Sequence, residues 1–141
     1  MDLEILKARN GQQTLRAHLE DGRTIFLHSP YDPEREARQW AENSAFAAND
    51  VVVLFGCGAG HAPAALLDRL SPGNRLLMLD PLYPSLPDDT TPLRRVLHDP
   101  RIQRTSTLSE LRKAYDRIEN ACWKGISLLR LPTYERLFPE E

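Results

Sequence analysis

Residues 56–61, Gly-Cys-Gly-Ala-Gly-His, stand between an apolar run, 51–55, and a short helical pattern. A glycine turn at such a junction leaves backbone N–H groups exposed at the positive end of a helix, where an anion or nucleotide can sit. In this reading Gly56 makes the turn, Gly58 lets a ligand approach the backbone, and Gly60 lets the helix lie close to the strand. Asp80 comes 24 residues after Gly56, near the ~20 expected of an acidic partner that accepts hydrogen bonds from ribose hydroxyls. A nucleoside-containing ligand is therefore chemically sensible. The spacing is GxGxG, however, and His61 stands where the dinucleotide fingerprint requires a third glycine. No Lys-Ser or Lys-Thr follows, which excludes a P-loop.

Each of these residues has a plainer reading. The glycines can tighten a strand–helix junction without any ligand, and Asp80-Pro81 can simply end a strand. His61 is either a donor to a phosphate or carboxylate or a solvated first-turn residue. Cys57 reads as a small apolar filler, because no base can be assigned beside it to lower its pKa. Cys57 and Cys122 have no second Cys or His at metal-ligand spacing, so both read as reduced thiols. The candidate binding set is Gly56, Cys57, Gly58, Gly60, His61 and Asp80, with no catalytic residue and no metal ligand.

The elements around this set follow from periodicity. Residues 1–27 alternate apolar and polar positions and are broken at Asn10-Gly11 and Asp21-Gly22, which predicts three antiparallel strands, Leu3 to Ala8, Thr14 to Leu19 and Thr24 to Leu27. Asp21-Gly22 suits a tight I′ hairpin turn. Asp32 and Pro33 supply the N-cap and first position of a helix with Ala37, Trp40, Ala41, Ser44 and Ala45 at helical spacing, a face that is apolar and small except for Trp40. The loop 28–32 before it reads as a plain helix entry in preference to a contact surface. Val51 to Phe55 reads as a strand covered on both faces, and a helix from about Ala62 to Leu70 joins it to a second apolar strand, Arg75 to Leu79.

Beyond Asp80 the pattern weakens. Residues 81–100 read mostly as loop, with one or two helical turns around Pro92 to Leu97. Arg101 to Thr105 reads as a short strand. Thr107 and Glu110 form a capping box for a helix with Leu108, Leu111, Tyr115 and Ile118 on one face. Ile126 to Leu129 is a further strand, the tail after Pro132 an exit segment, and Trp40 and Trp123 packing residues. The expected fold is α/β, a Rossmann-like and mainly parallel sheet carrying an N-terminal antiparallel β extension. The extension and loop span 1–33 and the Rossmann-like module 34–141. A full doubly wound domain continues for further strands, so a truncated domain or the first part of a larger protein is expected.

At 41% hydrophobic and 27% charged residues, the chain has the composition of a globular domain. With a net charge of −2 it lacks the basic field that would hold nucleic acid. It also lacks the ~18 apolar residues of a membrane span and the pattern of a signal peptide, so a cytoplasmic location is expected.

Two families resemble this pattern. The segment from Val51 to Asp80 is similar to S-adenosylmethionine-dependent methyltransferases, whose first motif is GxGxG and whose second strand ends in an acid. It departs from them at Leu54, where that family carries an acid holding the cofactor's amino-acid end. A larger share of the chain, residues 27–37 (LHSPYDPEREA), 53–61 (VLFGCGAGH), 79–81 (LDP) and 131–140 (LPTYERLFPE), resembles the N-terminal region of motility accessory factor proteins. That family is similar to archaeal 6-hydroxymethylpterin diphosphokinase-like proteins and is implicated in glycosylating flagellin from CMP-activated sugars. Its transferase activity belongs to a central domain. The resemblance thus implies a non-catalytic module whose partners are a glycosyltransferase domain and flagellin, with S-adenosylmethionine or a CMP-sugar as conceivable ligands.

Overall fold

The computed structural model describes residues 1–82, 90–118 and 125–139. Cys122 and Trp123 lie outside the described residues. The order of elements is β1 (Asp2–Lys7), β2 (Gln13–His18), β3 (Thr24–Phe26), α1 (Pro33–Glu42), β4 (Val51–Phe55), α2 (His61–Leu67), β5 (Arg75–Leu79), α3 (Thr91–Leu97), β6 (Ile102–Thr105), α4 (Leu108–Asp116), β7 (Ile126–Arg130) and α5 (Pro132–Leu137).

Two sheets result. Strands β1-β2-β3 form an antiparallel sheet, and β6-β5-β4-β7 form a parallel one. The chain is α/β and Rossmann-like, with the antiparallel unit at its N-terminus. Leu15 and Leu27 of the first unit share one hydrophobic cluster with Val52, Leu54, Leu76 and Met78 of the second. A smaller cluster of Val51, Leu77 and Ala114 lies where α4 covers the sheet.

The two hairpins are built differently from the tight I′ turn expected at Asp21-Gly22. Gly22 has φ +89° and Gly11 φ +91°, whereas Asp21 and Asn10 stay at negative φ. Gly22 N–H donates to the Leu19 carbonyl and Leu19 N–H to the Arg23 carbonyl, and the same pair of bonds recurs among Ala8, Gly11 and Gln12. Each is a three-residue loop closed by a glycine bulge, which needs only one left-handed residue.

Helix α1 begins as its residues dictate, with the Asp32 side chain accepting from Arg35 N–H at 3.0 Å and Pro33 at the first turn. In α4 the Thr107 hydroxyl accepts from Glu110 N–H, but the Glu110 carboxylate returns to Ser106 N–H at 2.8 Å, one residue before the expected position. The buried residue of α4 is Ala114, and Leu108 is 69% exposed. The apolar face is thus rotated toward Leu111, Ala114 and Ile118, and Leu108, expected on it, is the correction.

The one or two helical turns expected around Pro92 to Leu97 are present, while residues 83–89 of the expected loop lie outside the described residues, and the segment read as an exit is a helix as well. Thr91–Leu97 packs on the core through Leu93 and Val96. Pro132–Leu137 opens with Pro at its start and buries Tyr134 completely. The expected exit segment is therefore part of the core, because Tyr134, Leu137 and Phe138 bring apolar area that only burial satisfies.

Among the described residues no helix is long and apolar enough to cross a membrane.

Candidate functional site

The glycine turn lies at the C-terminal end of β4, between β5 and β7, where open α/β sheets place their ligands. Gly56, Gly58 and Gly60 have φ of +100°, +53° and +94°, so the turn geometry expected at Gly56 is present and the other two glycines are left-handed as well.

Every backbone N–H from Gly56 to Gly60 has a protein acceptor. Gly56 donates to the Leu79 carbonyl at 2.8 Å and Gly60 to the Cys57 carbonyl at 2.8 Å. Cys57 and Gly58 donate to the same Asp80 oxygen, Oδ2, at 2.9 and 3.0 Å. Ala59 donates to His28 Nε2 at 2.9 Å. The Tyr134 hydroxyl donates to Asp80 Oδ2 at 2.7 Å and accepts from Gly58 N–H at 3.1 Å. The second oxygen, Oδ1, accepts from Leu82 N–H at 2.9 Å. Asp80 is fully buried.

Space is used as completely as hydrogen bonds. A Cβ on Gly56 would meet the Tyr134 ring at 2.5 Å, and one on Gly60 would meet the Leu93 backbone at 2.6 Å. The room that glycine leaves at the first turn position is occupied by an aromatic ring of α5. At Gly58 the close approach is made by the His28 ring. Tyr134 in turn lies edge-on to Phe55, with ring centroids 5.9 Å apart.

Of the sequence candidates, the fold brings Gly56, Cys57, Gly58, Gly60 and Asp80 together and carries His61 to the adjoining helix start. His61 is neither solvated nor on an open turn: it is buried, and its Nε2 meets the Gln13 carbonyl at 2.6 Å. It lines a groove of about 570 Å³ between the first hairpin, α1, α2 and α3, together with Arg38 and Arg95. Cys57 is buried, with Sγ 3.1 Å from Asp80 Oδ2. Burial, and then the neighbouring Asp80, push its thiol well above the usual range, with Arg104 acting in the opposite sense. Such a thiol stays protonated and is not a nucleophile. Leu54, at the position of the methyltransferase acid, is fully buried in the core. Trp40 packs against the core and donates through Nε1 to the Arg130 carbonyl at 3.0 Å.

His28 and Tyr134 are the site residues that the candidate set lacked. Both lie in segments quoted for the larger resemblance, yet neither the histidine at the end of a hairpin nor the tyrosine in the tail is near the turn in sequence. Burial raises the Tyr134 phenol well above its ordinary pKa, so it remains a hydroxyl.

Burial, and secondarily the nearby His61, push His28 down to about 3. A neutral ring whose Nε2 accepts from Ala59 must carry its proton on Nδ1. In the unfolded chain a histidine titrates near ~6.5. Above that pH both states are neutral and the contribution is complete. Below it the unfolded chain takes up a proton that the folded one refuses, so stability falls down to about pH 3. Between pH 7 and 5 His28 alone is expected to remove about 2 kcal/mol, read from urea unfolding at the two pH values. His61 is lowered by burial too and adds in the same direction. A His28→Gln variant should flatten the slope, and an unchanged slope would show that other groups set it.

A nucleotide phosphate or a cofactor carboxylate placed on this turn would have to displace Asp80, His28 and Tyr134 from its N–H groups. The residues present do not fit such a group. Among the described residues no cluster of His, Cys, Asp or Glu is arranged to hold a metal. Comparison with known proteins finds no matching family model, no similar curated protein and no similar solved structure.

Proposed function

We infer that the chain is a non-catalytic Rossmann-like module of the kind that stands at the N-terminus of motility-associated, flagellin-glycosylating proteins. Its glycine turn is a joint that holds the module together and binds no cofactor. One observation carries this reading. Segments 27–37, 53–61, 79–81 and 131–140, which carry the resemblance, are far apart in the chain yet meet in one hydrogen-bonded cluster through His28, the turn, Asp80 and Tyr134. Motifs that serve a ligand leave donors open toward it. Motifs that serve architecture satisfy one another, as these do.

The competing assignment, a methyltransferase-like protein, needs the turn and Asp80 to face S-adenosylmethionine. Calorimetry separates the two. Millimolar S-adenosylmethionine, its demethylated product and CMP are each expected to give no binding heat with this chain, and saturable S-adenosylmethionine binding would favour methyl transfer instead. The motility assignment has its own readout: removing the gene from the source organism should lower the intact mass of flagellin by its sugar. Flagellin of unchanged mass would sink it.

A further inference from the structure

His28 is only 5% exposed, yet one of its ring nitrogens is unpartnered. Nε2 is spent on Ala59 N–H, so Nδ1 carries the proton. Among the described residues that N–H has no acceptor, and it is not one of the atoms sealed from the surface. His28 lines a cavity of about 190 Å³ between α1, α2 and α5, and the N–H opens on it. Leu27, Ala37, Trp40, Ala62 and Leu131 form its walls. Trp40 has its own N–H on the Arg130 carbonyl, so it offers the cavity only its ring. Arg136 stands at the mouth, exposed and, among the described residues, without an ion pair or hydrogen bond. Leu131 follows β7, and Ala62 follows the glycine turn after β4. The cavity thus lies at the C-terminal ends of the parallel strands, the usual ligand position in such sheets.

We propose that this cavity binds a small apolar monocarboxylic acid, whose carboxylate accepts from His28 Nδ1–H and from the Arg136 guanidinium while its hydrocarbon part lies against Trp40 and the aliphatic walls. A buried N–H left without an acceptor is costly, and the protein supplies none, so the acceptor comes from the occupant of the cavity. Water alone fits poorly there. The space has room for about six molecules, and apolar walls give them few of the hydrogen bonds that each needs. A carboxylate suits both donors. It only accepts, it takes the N–H of a neutral imidazole, and it pairs with a guanidinium that has no carboxylate of its own. Glu36, also at the mouth, accepts from Ser29 N–H at 3.0 Å and, among the described residues, is in no ion pair with Arg136. Its charge disfavours a second carboxylate on the ligand, which limits the acid to one. Size narrows the class further: a dry cavity of about 150 Å³ accepts benzene, so about 190 Å³ holds one ring or a short branched chain together with its carboxylate.

Benzoate is the probe. Titrated into the full chain and followed by NMR of the histidine ring nitrogens, it is expected to bind saturably in the millimolar range and to shift the His28 Nδ1–H resonance, while His18 and His98 stay unmoved. Arg136 is exposed, so Arg136→Gln should keep the fold, read from an unchanged far-UV spectrum. It should bind benzoate about tenfold more weakly, the loss expected when a charge-assisted hydrogen bond is removed. Benzyl alcohol, which has the ring but no carboxylate, should not displace benzoate. The proposal is overturned by the absence of a saturable shift at tens of millimolar benzoate. Equally, it is overturned by binding that Arg136→Gln leaves as tight, by binding that does not move the His28 resonance, or by displacement with benzyl alcohol.

Discussion

Asp80→Ala is expected to lose about 4–6 kcal/mol, enough to leave a domain of ordinary stability partly unfolded at 25 °C. Its carboxyl group accepts from Cys57 N–H, Gly58 N–H, Leu82 N–H and the Tyr134 hydroxyl, all without access to solvent. Truncation strands most of these donors, and an unpaired buried donor costs about 1–3 kcal/mol. The losses are not additive, since Gly58 keeps the Tyr134 oxygen. Asp80→Asn keeps the shape but turns an amide NH2 toward groups that are themselves donors, and is expected to lose at least half as much. Urea unfolding followed by far-UV circular dichroism gives the number. A carboxyl group reserved for a ribose would behave oppositely, because removing a ligand-facing charge is commonly neutral or stabilising. An Asp80→Ala midpoint equal to wild type would therefore overturn the structural role and restore the ligand reading.

The second large effect is at Tyr134, where the ring and the hydroxyl can be separated. The ring is completely buried and fills the space above Gly56. Tyr134→Ala should cost about 3–5 kcal/mol, the usual range for emptying an aromatic site. Tyr134→Phe keeps the ring and removes only the link between Asp80 and Gly58, so it should cost about 1–3 kcal/mol. The cavity left by alanine has the shape of a phenol with a polar end. Millimolar p-cresol should therefore raise the melting temperature of Tyr134→Ala and leave wild type unchanged. If Tyr134→Ala melts like wild type, α5 is a loosely attached tail.

The parts of this fold written in local pattern were legible in the sequence. Asp32-Pro33, the β-branched run before Gly56 and the alternation of residues 1–27 each act over a few residues, and the elements they announce are present. What failed locally did so by one residue, as at Glu110, which reaches Ser106 instead of Thr107. The Asp21-Gly22 hairpin was legible as a hairpin but not as a turn type, because I′ geometry depends on both central residues. The site was legible as a turn and an acid at the right spacing. It was not legible as a filled turn, because the filling groups come from His28, 31 residues from Ala59, and from Tyr134, 76 residues from Gly58. A short tail with two prolines and a few aromatics carries no periodicity to show that it returns to the core. Leu108 shows the same limit, since helical spacing gives a face but leaves its boundary to the packing of Ala114.

The 76-residue span between Gly58 and Tyr134 also sets an order of events. Contacts that close long loops form late, after local hairpins and helices, because the loop's entropy must be overcome before the contact contributes. On a translating ribosome the first hairpins and α1 can form early. The N–H groups of the turn can find Leu79, Cys57, Asp80 and His28 before α5 has emerged, but the second acceptor of Gly58 and the ring that fills the space over Gly56 arrive only with Tyr134. Helix α5 thus seals the turn after its other contacts are available: a chain interrupted before Tyr134 would leave the space over Gly56 and one face of Phe55 uncovered.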